Sequence, residues 1–377
     1  MNIAIFTDSY LPYRSGVVKS ITTFSHELKK LGHRVYIFAP AYDKCENEVD
    51  VYRFRSLRAP TFKEFALAIP VSPSLSDKIQ QLKIDIIHVH SPFLMGQLGK
   101  RIAHKLKLPL VLTYHTLYEE YVHYFPLAPT LIRKAARNYT ISFCNKCNLV
   151  ISPTKVIASY LEKNGVKVPV ACLPTGIEIE RFSNLDSSWL RNRLNLSKDK
   201  TILLHVGRLG KEKNINFILN AFAIIHNKYP STHLVFVGSG PLKRELENQA
   251  KNFEIAHAVT FAGTFSFKEM PNIYAGADIF IFASLTETQG LVIGEAKAAG
   301  LPVVAVKAYG INEMVSNRHD GFLTSLDITS YTNCISKLVE NPTLRQQMSQ
   351  RALINAKSLS STTMARRLET LYQDLLR

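Results

Sequence analysis

Two glutamates eight residues apart, Glu287 and Glu295, lie in the stretch SLTETQGLVIGEAKAAG at residues 284–300. If all eight steps were helical, their Cα atoms would be roughly 12 Å apart. The paired carboxylates of glycoside hydrolysis face each other across about 5–9.5 Å, on opposite sides of one bond. The spacing therefore argues against a hydrolytic acid/base pair.

Gly290 lies between these glutamates and is predicted to mark the turn into a helix. The first backbone N–H groups of a helix have no partner within it and attract anions. A carboxylate on each side could then bind hydroxyl groups that flank a phosphate, which is the arrangement of a nucleotide-sugar. The alternative is a solvated helix start with ordinary surface glutamates, and this stretch alone leaves both interpretations open.

Arg208 and Lys213 follow the predicted strand TILLHV, within GRLGKEKN at residues 207–214. Arginine can hold a diphosphate with two parallel hydrogen bonds and lysine with a point charge. A solvated basic loop is the alternative. After the predicted strand HLVFV, Gly238 and Gly240 permit a tight turn, but the third glycine of the dinucleotide fingerprint is absent. An NAD-dependent enzyme is therefore not supported.

His115 follows the predicted strand LPLVLT, where it could hydrogen-bond a sugar hydroxyl or a developing charge. His88 and His90 alternate in IIHVHSP, so they are expected on one face, His88 with a structural role and His90 lining a cleft. A metal pair is the alternative for His88 and His90, and a purely structural role is the alternative for His115. The sequence contains no D-x-D pair and requires no metal or other cofactor, although Mg²⁺ binding is left open.

Composition and charge narrow the class of protein. At 377 residues and 46% apolar content the chain suits two globular domains, and no apolar run approaches the roughly 20 residues of a spanning helix. The net charge is +16, and residues 1–175 carry 23 Lys and Arg against 12 Asp and Glu. The start of the chain has no signal-peptide pattern, and the lone C-x-x-C of Cys144 and Cys147 is interpreted as two ordinary thiols of a reducing cytoplasm.

Apolar runs alternate with helical patterns in both halves of the chain. Runs such as NIAIFT and RVYIFAP in the first half, and TILLHVG and DIFIFAS in the second, predict buried parallel strands covered by helices on both faces. We therefore predict two α/β domains of similar size, divided near residues 174–182. Open parallel sheets bind ligands beyond the carboxyl ends of their strands, so a central cleft between the domains is expected.

Several motifs together resemble the retaining GT-B glycosyltransferases of family 4. They are the E-x7-E pair, VGRLGKEKN, VGSGPL, GADIFIFASLTETQGLVIGEAKAAGLPVVA and YGINEMVSNRHDGFL, and the resemblance covers essentially the whole chain. The stretches FTDSYLPYRSGVVKSI, DIIHVHSPFLMG, TYHTLYEEYVHYFP and LPTGIEIERF further resemble the bacterial diacylglycerol glucosyltransferases. The resemblance implies an acceptor-binding Rossmann-like domain at 1–175, a donor-binding one at 176–356, and a C-terminal helix at 357–377 that packs on the first domain.

The resemblance also implies roles for the matching residues. Glu287 would bind hydroxyls of the donor hexose, Glu295 the ribose diol, and Arg208 and Lys213 the diphosphate and the leaving nucleotide. His115 would contact the sugar near its anomeric carbon. The implied catalytic set is Glu287, His115, Arg208 and Lys213, and the implied donor-binding set is Gly16, Arg208, Lys213, Gly240, Gln289, Gly290, Leu291 and Glu295. Retention by front-face attack is implied, with UDP-glucose as the expected donor.

Two segments of the first half could contact a lipid acceptor or an anionic membrane. Residues 55–70 are predicted to form a basic amphipathic helix that exposes Phe62 and Phe65, and residues 127–143 a second one that carries Arg133, Lys134 and Arg137. Tyr118 and Tyr121 are further acceptor candidates. The alternative is that each apolar stripe packs on its own domain. We expect a diacylglycerol-type acceptor and peripheral attachment at the cytoplasmic face of the cell membrane.

Four other functions remain open. A family 4 enzyme with a soluble or saccharide acceptor would share every donor motif, and a nucleotide-sugar epimerase would share the two-domain fold. A nucleotide-sugar sensor would bind donor without turnover. Nucleic-acid binding would explain the charge but not the two glutamates, so no nucleic-acid partner is predicted.

Overall fold

The computed structural model describes residues 1–43, 45, 48–58, 65–120 and 129–377. The chain divides into two compact units, the first formed by Met1–Gly176 with Ser361–Arg377 and the second by Ile177–Ser360. Each unit contains its own parallel sheet with helices around it. The prediction of two α/β domains with parallel sheets is confirmed.

The strands and helices alternate along most of the chain. In chain order the strands are β1 Asn2–Phe6, β2 Arg34–Pro40, β3 Val51–Phe54, β4 Ser56–Arg58, β5 Ala66–Ala68, β6 Ile86–Val89, β7 Leu110–Thr113, β8 Leu149–Ser152, β9 Val170–Cys172, β10 Thr201–Val206, β11 Thr232–Val237, β12 Val259–Gly263, β13 Ile279–Phe282, β14 Val303–Val306 and β15 Gly321–Thr324. The α-helices are α1 Gly16–Lys30, α2 Leu75–Gln81, α3 Leu94–Leu106, α4 Pro129–Cys144, α5 Lys155–Lys163, α6 Trp189–Leu194, α7 Ile215–Lys228, α8 Lys243–Asn252, α9 Met270–Ala275, α10 Leu291–Ala298, α11 Ile311–Met314, α12 Ile328–Glu340, α13 Pro342–Lys357 and α14 Ser361–Leu376.

The first unit is built on a seven-stranded sheet in the order β3-β2-β1-β6-β7-β8-β9. Every neighbouring pair in it is parallel. All four residues of β6 are buried, as are all four of β7 and all four of β8, which explains why these strands are mainly apolar. The carboxyl ends of β1, β6 and β7 therefore emerge side by side at one edge of the sheet.

The last helix, α14, belongs to the first unit and packs on α1. Met364, Leu368 and Tyr372 share one apolar core with Ile21 and Leu28 of α1. Burying these side chains is worth roughly 1.5–3 kcal/mol each. The C-terminal segment is thus held by the core of the unit that contains the N-terminus.

The second unit is built on a six-stranded parallel sheet in the order β12-β11-β10-β13-β14-β15. The apolar stretch GFLT forms the edge strand β15. The central strands β10 and β13 are followed by the loops that carry Arg208, Lys213 and Glu287. These loops leave neighbouring strands at the same edge, so the topology brings them together.

The predicted amphipathic helix at residues 55–70 is wrong. The described part of this segment forms an antiparallel hairpin, in which β4 pairs with β5 and Leu57 lies opposite Leu67. The period-2 pattern explains the outcome, because Ala66 and Ala68 are buried whereas Leu67 between them faces outward. Phe62 lies outside the described residues.

Candidate active site

Glu287 forms an ion pair with Lys213 in the second unit. Glu287 lies on the loop after β13, and Lys213 ends a short 3₁₀ helix after β10. Their side chains are 17% and 18% exposed. Burial alone would raise the pKa of Glu287, but the charge and hydrogen bond of Lys213, with the Ser284 hydroxyl, hold that pKa below its usual value. Glu287 is therefore an anion that can accept hydrogen bonds at neutral pH.

Gly290 ends the same loop in the left-handed conformation, with φ of +85°. A side chain there would be strained, and helix α10 begins at the next residue, Leu291. A hydrogen bond from a separate segment fixes the loop, since Gly310 N donates to Glu287 O at 3.0 Å. The side chain of Gln289 in the same loop is buried. The predicted turn into a helix at Gly290 is confirmed.

Glu295 lies on the first turns of α10 and accepts a hydrogen bond from Tyr274 at 2.9 Å. Tyr274 is fully buried in α9. Burial raises the pKa of Tyr274, and the neighbouring Glu295 carboxylate raises it further, so its hydroxyl stays a donor. The hydrogen bond holds one carboxylate oxygen of Glu295 in place on the helix.

Arg208 follows β10 and its guanidinium lies 3.3 Å from the carboxylate of Glu212. The side chain of Glu212 is nearly buried, whereas that of Arg208 is 37% exposed. Part of the arginine side chain is therefore accessible to solvent. Gly240 lies on the next loop, where a Cβ atom would come within 2.3 Å of Leu209 O. A glycine is therefore required at position 240 because the two loops approach each other closely there.

The ion pair places Lys213 beside Glu287 on the loop before α10, and Glu295 lies on that helix, whereas Arg208 lies on the loop after β10 and pairs with Glu212. Arg208 and Lys213 can neutralise phosphate oxygens. The carboxylates Glu287 and Glu295 can accept hydrogen bonds from hydroxyl groups on either side of that charge. The pair Glu287 and Lys213 can also release each other to a ligand, since each is partly exposed.

His115 lies in the first unit, directly beyond the end of β7, and is stacked on His90. Its Nε2 lies 2.8 Å from Nδ1 of His90. His90 is 1% exposed and sits behind His115, so the expectation that it lines a cleft is wrong. His90 follows the last residue of β6 and packs against His88, with ring centroids 4.3 Å apart, inside the buried edge of the sheet.

His88 has the structural role that was predicted for it. Its Nδ1 lies 2.6 Å from the Tyr372 hydroxyl and its Nε2 lies 2.7 Å from Thr113 Oγ1. Burial lowers the pKa of His88 to about 3 and that of His115 to about 3. The histidines are therefore neutral at physiological pH, and each neutral ring can donate one hydrogen bond and accept another.

The predicted acceptor and membrane residues that the structure describes belong to the first unit. Tyr118 packs edge-on against Phe93, with ring centroids 4.8 Å apart. Arg133 pairs with Glu120 at 3.1 Å and Lys134 is exposed beside it on α4, where Arg137 is half-buried. Phe65 precedes β5 and packs against Tyr13, with ring centroids 5.7 Å apart. Tyr121 lies outside the described residues.

The exposure of α4 agrees with one of the two alternatives for residues 127–143. Leu131, in the first turn, is 69% exposed and is not packed on the unit, whereas Tyr139 is 42% exposed but stacks on Phe93. Farther along, Phe143 and Cys144 are buried. The amphipathic character of this helix therefore includes a solvent-facing apolar part.

Gly16 begins α1, after the N-cap residue Ser15. The Ser15 hydroxyl accepts a hydrogen bond from Val18 N at 3.3 Å. The helix start is therefore formed by a serine cap and an exposed glycine.

Asp8 and Tyr274 were missed by the sequence interpretation. Asp8 is buried just beyond β1, where it accepts hydrogen bonds from Ser91 and from Met95 N and so anchors the start of α3. A carboxylate directly after an apolar strand was the available signal for Asp8. Nothing near Tyr274 in the sequence indicates that it binds a glutamate twenty-one residues later.

Cys144 and Cys147 are buried free thiols. Burial raises the pKa of both, which makes them poor nucleophiles. Within the described ranges, no group of three or more His, Cys, Asp and Glu side chains is arranged to hold a metal ion.

Two family models match consecutive parts of the chain. The model described as Glycosyltransferase Family 4 matches residues 14–181, and the model of Glycosyl transferases group 1 matches residues 187–353. An alpha-monoglucosyldiacylglycerol synthase of Streptococcus pneumoniae is 34% identical over 100% of this chain and 86% of its own length. A protein of the same name from Acholeplasma laidlawii is 31% identical over 100% of this chain and 98% of its own. The chain belongs to the family 4 glycosyltransferases.

The fold of this glycosyltransferase is shared by solved structures of low sequence identity. Anabaena Alr3699/HepE, solved in complex with UDP-glucose, superposes with a TM-score of 0.78 at 20% identity, over 99% of this chain and 100% of that one. The prediction of a GT-B fold is confirmed. The prediction of a hexosyltransferase is confirmed by the family models and by the two synthases.

The glycosyltransferase has no helix, among those that the structure describes, with the length and apolar character needed to cross a membrane. Its charged donor-side candidates all lie in the second unit and its histidine cluster lies in the first. The enzyme therefore has two kinds of candidate site, a charged one in the second unit and a histidine cluster in the first.

Proposed function

We propose that this glycosyltransferase transfers glucose from UDP-glucose to the free hydroxyl of a diacylglycerol, with retention at the anomeric carbon. The observation that carries the proposal is the similarity over the full chain to two proteins named alpha-monoglucosyldiacylglycerol synthase. The side chains of the second unit support it, because their charges suit a nucleotide-sugar.

The donor-side roles follow from the chemistry of each group. Arg208 and Lys213 neutralise the diphosphate, and the backbone N–H groups near Gly290 and Leu291 bind one of its oxygens. Glu287 accepts hydrogen bonds from the hexose hydroxyls, and Glu295, held by Tyr274, binds the ribose diol. Gln289 and Gly240 belong to the same proposed set, and Gly16 contributes backbone contact with a phosphate.

The transfer step breaks the bond between the anomeric carbon and the phosphate oxygen and forms a bond to the acceptor oxygen on the same face. The proton of the acceptor hydroxyl passes to the departing phosphate oxygen, and UDP leaves. Preplaced cations at Arg208 and Lys213 stabilise the charge that develops on that oxygen. His115 remains neutral and can hydrogen-bond the hexose without adding a competing positive charge.

The acceptor proposal places the enzyme at the cytoplasmic face of an anionic membrane. Residues 1–175 carry the larger part of the basic excess. Helix α4 presents exposed Leu131 close in sequence to Arg133 and Lys134, which combines apolar and cationic groups on one surface element. Each basic side chain near an anionic surface contributes about 1 kcal/mol.

The test is product analysis with purified enzyme, UDP-glucose and diacylglycerol vesicles. The expected product is a monoglucosyl lipid of α configuration by mass spectrometry and NMR. Glucosylation of a saccharide acceptor but not of diacylglycerol would replace the proposal with the soluble-acceptor alternative. Conversion of the donor sugar without any acceptor would indicate an epimerase.

Membrane attachment has its own experiment, flotation with vesicles that differ in anionic lipid content. The enzyme is expected to float with vesicles that contain phosphatidylglycerol and to remain below with purely zwitterionic ones. Equal failure to float with both kinds would defeat the membrane part of the proposal, whereas the donor part would stand.

A further inference from the structure

A cavity of about 350 Å³ opens on the first unit between the β4–β5 hairpin, α3 and α4. Its walls are mainly apolar and are formed by Phe65, Leu67, Pro70, Phe93, Leu94 and Tyr139. Ligand cavities in proteins commonly measure about 300–1,000 Å³. The volume therefore suits part of a small ligand.

The cavity lies next to the sheet edge that carries His115. Asp8, which follows β1, and Phe93 and Leu94, which follow β6, all line it. Phe93 also contacts Tyr118, three residues beyond His115, and stacks on Tyr139 with centroids 6.0 Å apart. The cavity is thus continuous, through one aromatic cluster, with the carboxyl ends of the strands, where open α/β sheets bind ligands.

The apolar side chains around the cavity are unusually open to solvent. Leu67 and Leu94 are each 38% exposed, Phe93 is 41% exposed and Tyr139 is 42% exposed. Single exposed apolar residues are ordinary, and apolar side chains grouped around a concavity suit an apolar ligand. Leu67 and Leu94 come from separate elements, so the grouping is a product of the fold.

Asp8, Gln97 and Tyr139 are paired within the protein, and the exposed Arg101 is the one cation among the lining residues that the structure describes. Both carboxylate oxygens of Asp8 accept hydrogen bonds, from Ser91 and from Met95 N. Gln97 Nε2 donates to Pro92 O at 3.1 Å and to the Tyr139 hydroxyl at 2.8 Å. A sugar would need polar partners, whereas an alkyl chain needs an apolar wall. The lining therefore favours a hydrocarbon ligand.

We infer that this cavity binds the first methylene groups of one acyl chain of the diacylglycerol acceptor. The inference rests on the proposed function. It adds a subsite for an acyl chain to the proposed donor site of the enzyme. Each methylene group that enters the cavity should strengthen acceptor binding about fourfold. The gain should stop when the cavity is filled, and the remainder of the chain then stays outside.

The experiment uses 1,2-diacylglycerols of increasing chain length, kept below the concentrations at which they aggregate, with full-length enzyme and UDP-glucose. For the wild type, kcat/KM should rise about fourfold for each methylene added to both chains and then level off. Leu67→Gln and Leu94→Gln should flatten that rise through KM while kcat for the shortest acceptor stays unchanged. Both side chains are already partly exposed, so folding should be preserved.

Leu57→Gln is the matched control. Leu57 lies opposite Leu67 in the same hairpin and is 65% exposed, but it does not line the cavity. The chain-length dependence of this variant should equal that of the wild type. If Leu57→Gln flattens the dependence as much as Leu67→Gln, the hairpin acts as an outer adsorbing surface and the cavity inference is overturned.

Failure of the inference and failure of the proposed function give different results. Transfer to diacylglycerol with a chain-length dependence that neither cavity variant alters would remove the acyl subsite and leave the function intact. No transfer to any diacylglycerol, with UDP-glucose still bound, would remove both. UDP binding by calorimetry should be the same in all variants, because none of the substituted residues belongs to the proposed donor-binding set.

Discussion

The two units of this glycosyltransferase share a parallel-sheet design but place different chemistry at the ends of their strands. In the second unit, Lys213 pairs with Glu287 and Arg208 with Glu212. In the first unit, the corresponding sheet edge carries histidines that burial keeps neutral, beside a mainly apolar cavity. One scaffold is thus used for an ionic site and for an uncharged one.

The loops after the strands, rather than the sheets themselves, determine the chemistry of each site. Both sheets bury continuous apolar strands, and neither sheet explains the chemistry of its edge. An ionic edge suits a charged diphosphate ligand, and a neutral apolar edge suits a lipid.

Glu287→Ala should reduce transfer by about 10²–10³-fold, because it removes a hydrogen-bond acceptor from the reacting sugar and frees Lys213. Nucleotide binding should fall only modestly, which calorimetry with UDP can measure beside steady-state kinetics. Glu340→Ala is the control, since Glu340 forms an exposed pair with Lys228 and should change neither quantity. Unaltered turnover of Glu287→Ala would refute its role at the ionic site.

Arg208→Ala should lower kcat by about 10²-fold through loss of a cation at the leaving phosphate. Arg208→Lys should recover part of the rate, because lysine keeps the charge but not the two-pronged hydrogen bond. Lys243→Ala, on the exposed face of α8, provides a comparison that should behave as the wild type. Wild-type kinetics for Arg208→Ala would contradict the assignment.

Acidification should destabilise the first unit through its histidine cluster. The pKa of His88 is about 3 in the folded protein and near 6.5 when exposed, so the unfolded chain binds more protons below pH 6.5 and stability falls as the pH decreases from 6.5 toward 3. Between pH 7 and pH 5 the loss from His88 should be about 2 kcal/mol. Urea unfolding followed by circular dichroism measures it.

His88→Gln provides the control for the acid effect. Glutamine keeps hydrogen-bonding capacity toward Thr113 and Tyr372 but does not titrate, so the dependence of stability on pH should become shallower by that amount. Trp189 fluorescence reports the second unit separately, because this tryptophan lies within it. An identical dependence in the variant would show that His88 is not the group that titrates.

Lys134→Gln should have the smallest effect, about a fivefold weaker partition onto anionic vesicles. The lysine is exposed on α4, so the loss should vanish at high salt or with zwitterionic vesicles. Lys251→Gln, an exposed lysine of the second unit, should leave partition unchanged. Equal losses in the two variants would show that net charge, rather than this helix, drives adsorption.

The ionic site could be located from the sequence because its parts are close along the chain. Glu287, Gly290 and Glu295 lie within one strand-loop-helix segment, and Arg208 and Lys213 lie within another. That the two segments meet was decided by the pairing of β10 with β13, which the pattern of apolar runs does not record. The roles of these residues in binding and transfer stay predictions.

The first unit was predicted less well, and residues 55–70 show why. A spacing of apolar residues that fits a helix also occurred in a segment whose described ends pair as β4 and β5. Local spacing cannot tell which partner a segment will find. The hairpin, in turn, forms one wall of the cavity, so the cavity could not be predicted either.

The amino-acid sequence by itself determined the two parallel-sheet domains, the family and the donor-side charges, because these depend on local periodicity and on short motifs. Only the tertiary structure decided that His88 meets Tyr372, that Glu295 meets Tyr274 and that an apolar cavity lies beside the aromatic cluster. The physical reason is distance along the chain. Contacts between residues far apart are selected by the packing of whole sheets and helices, and no local pattern records which of them will form.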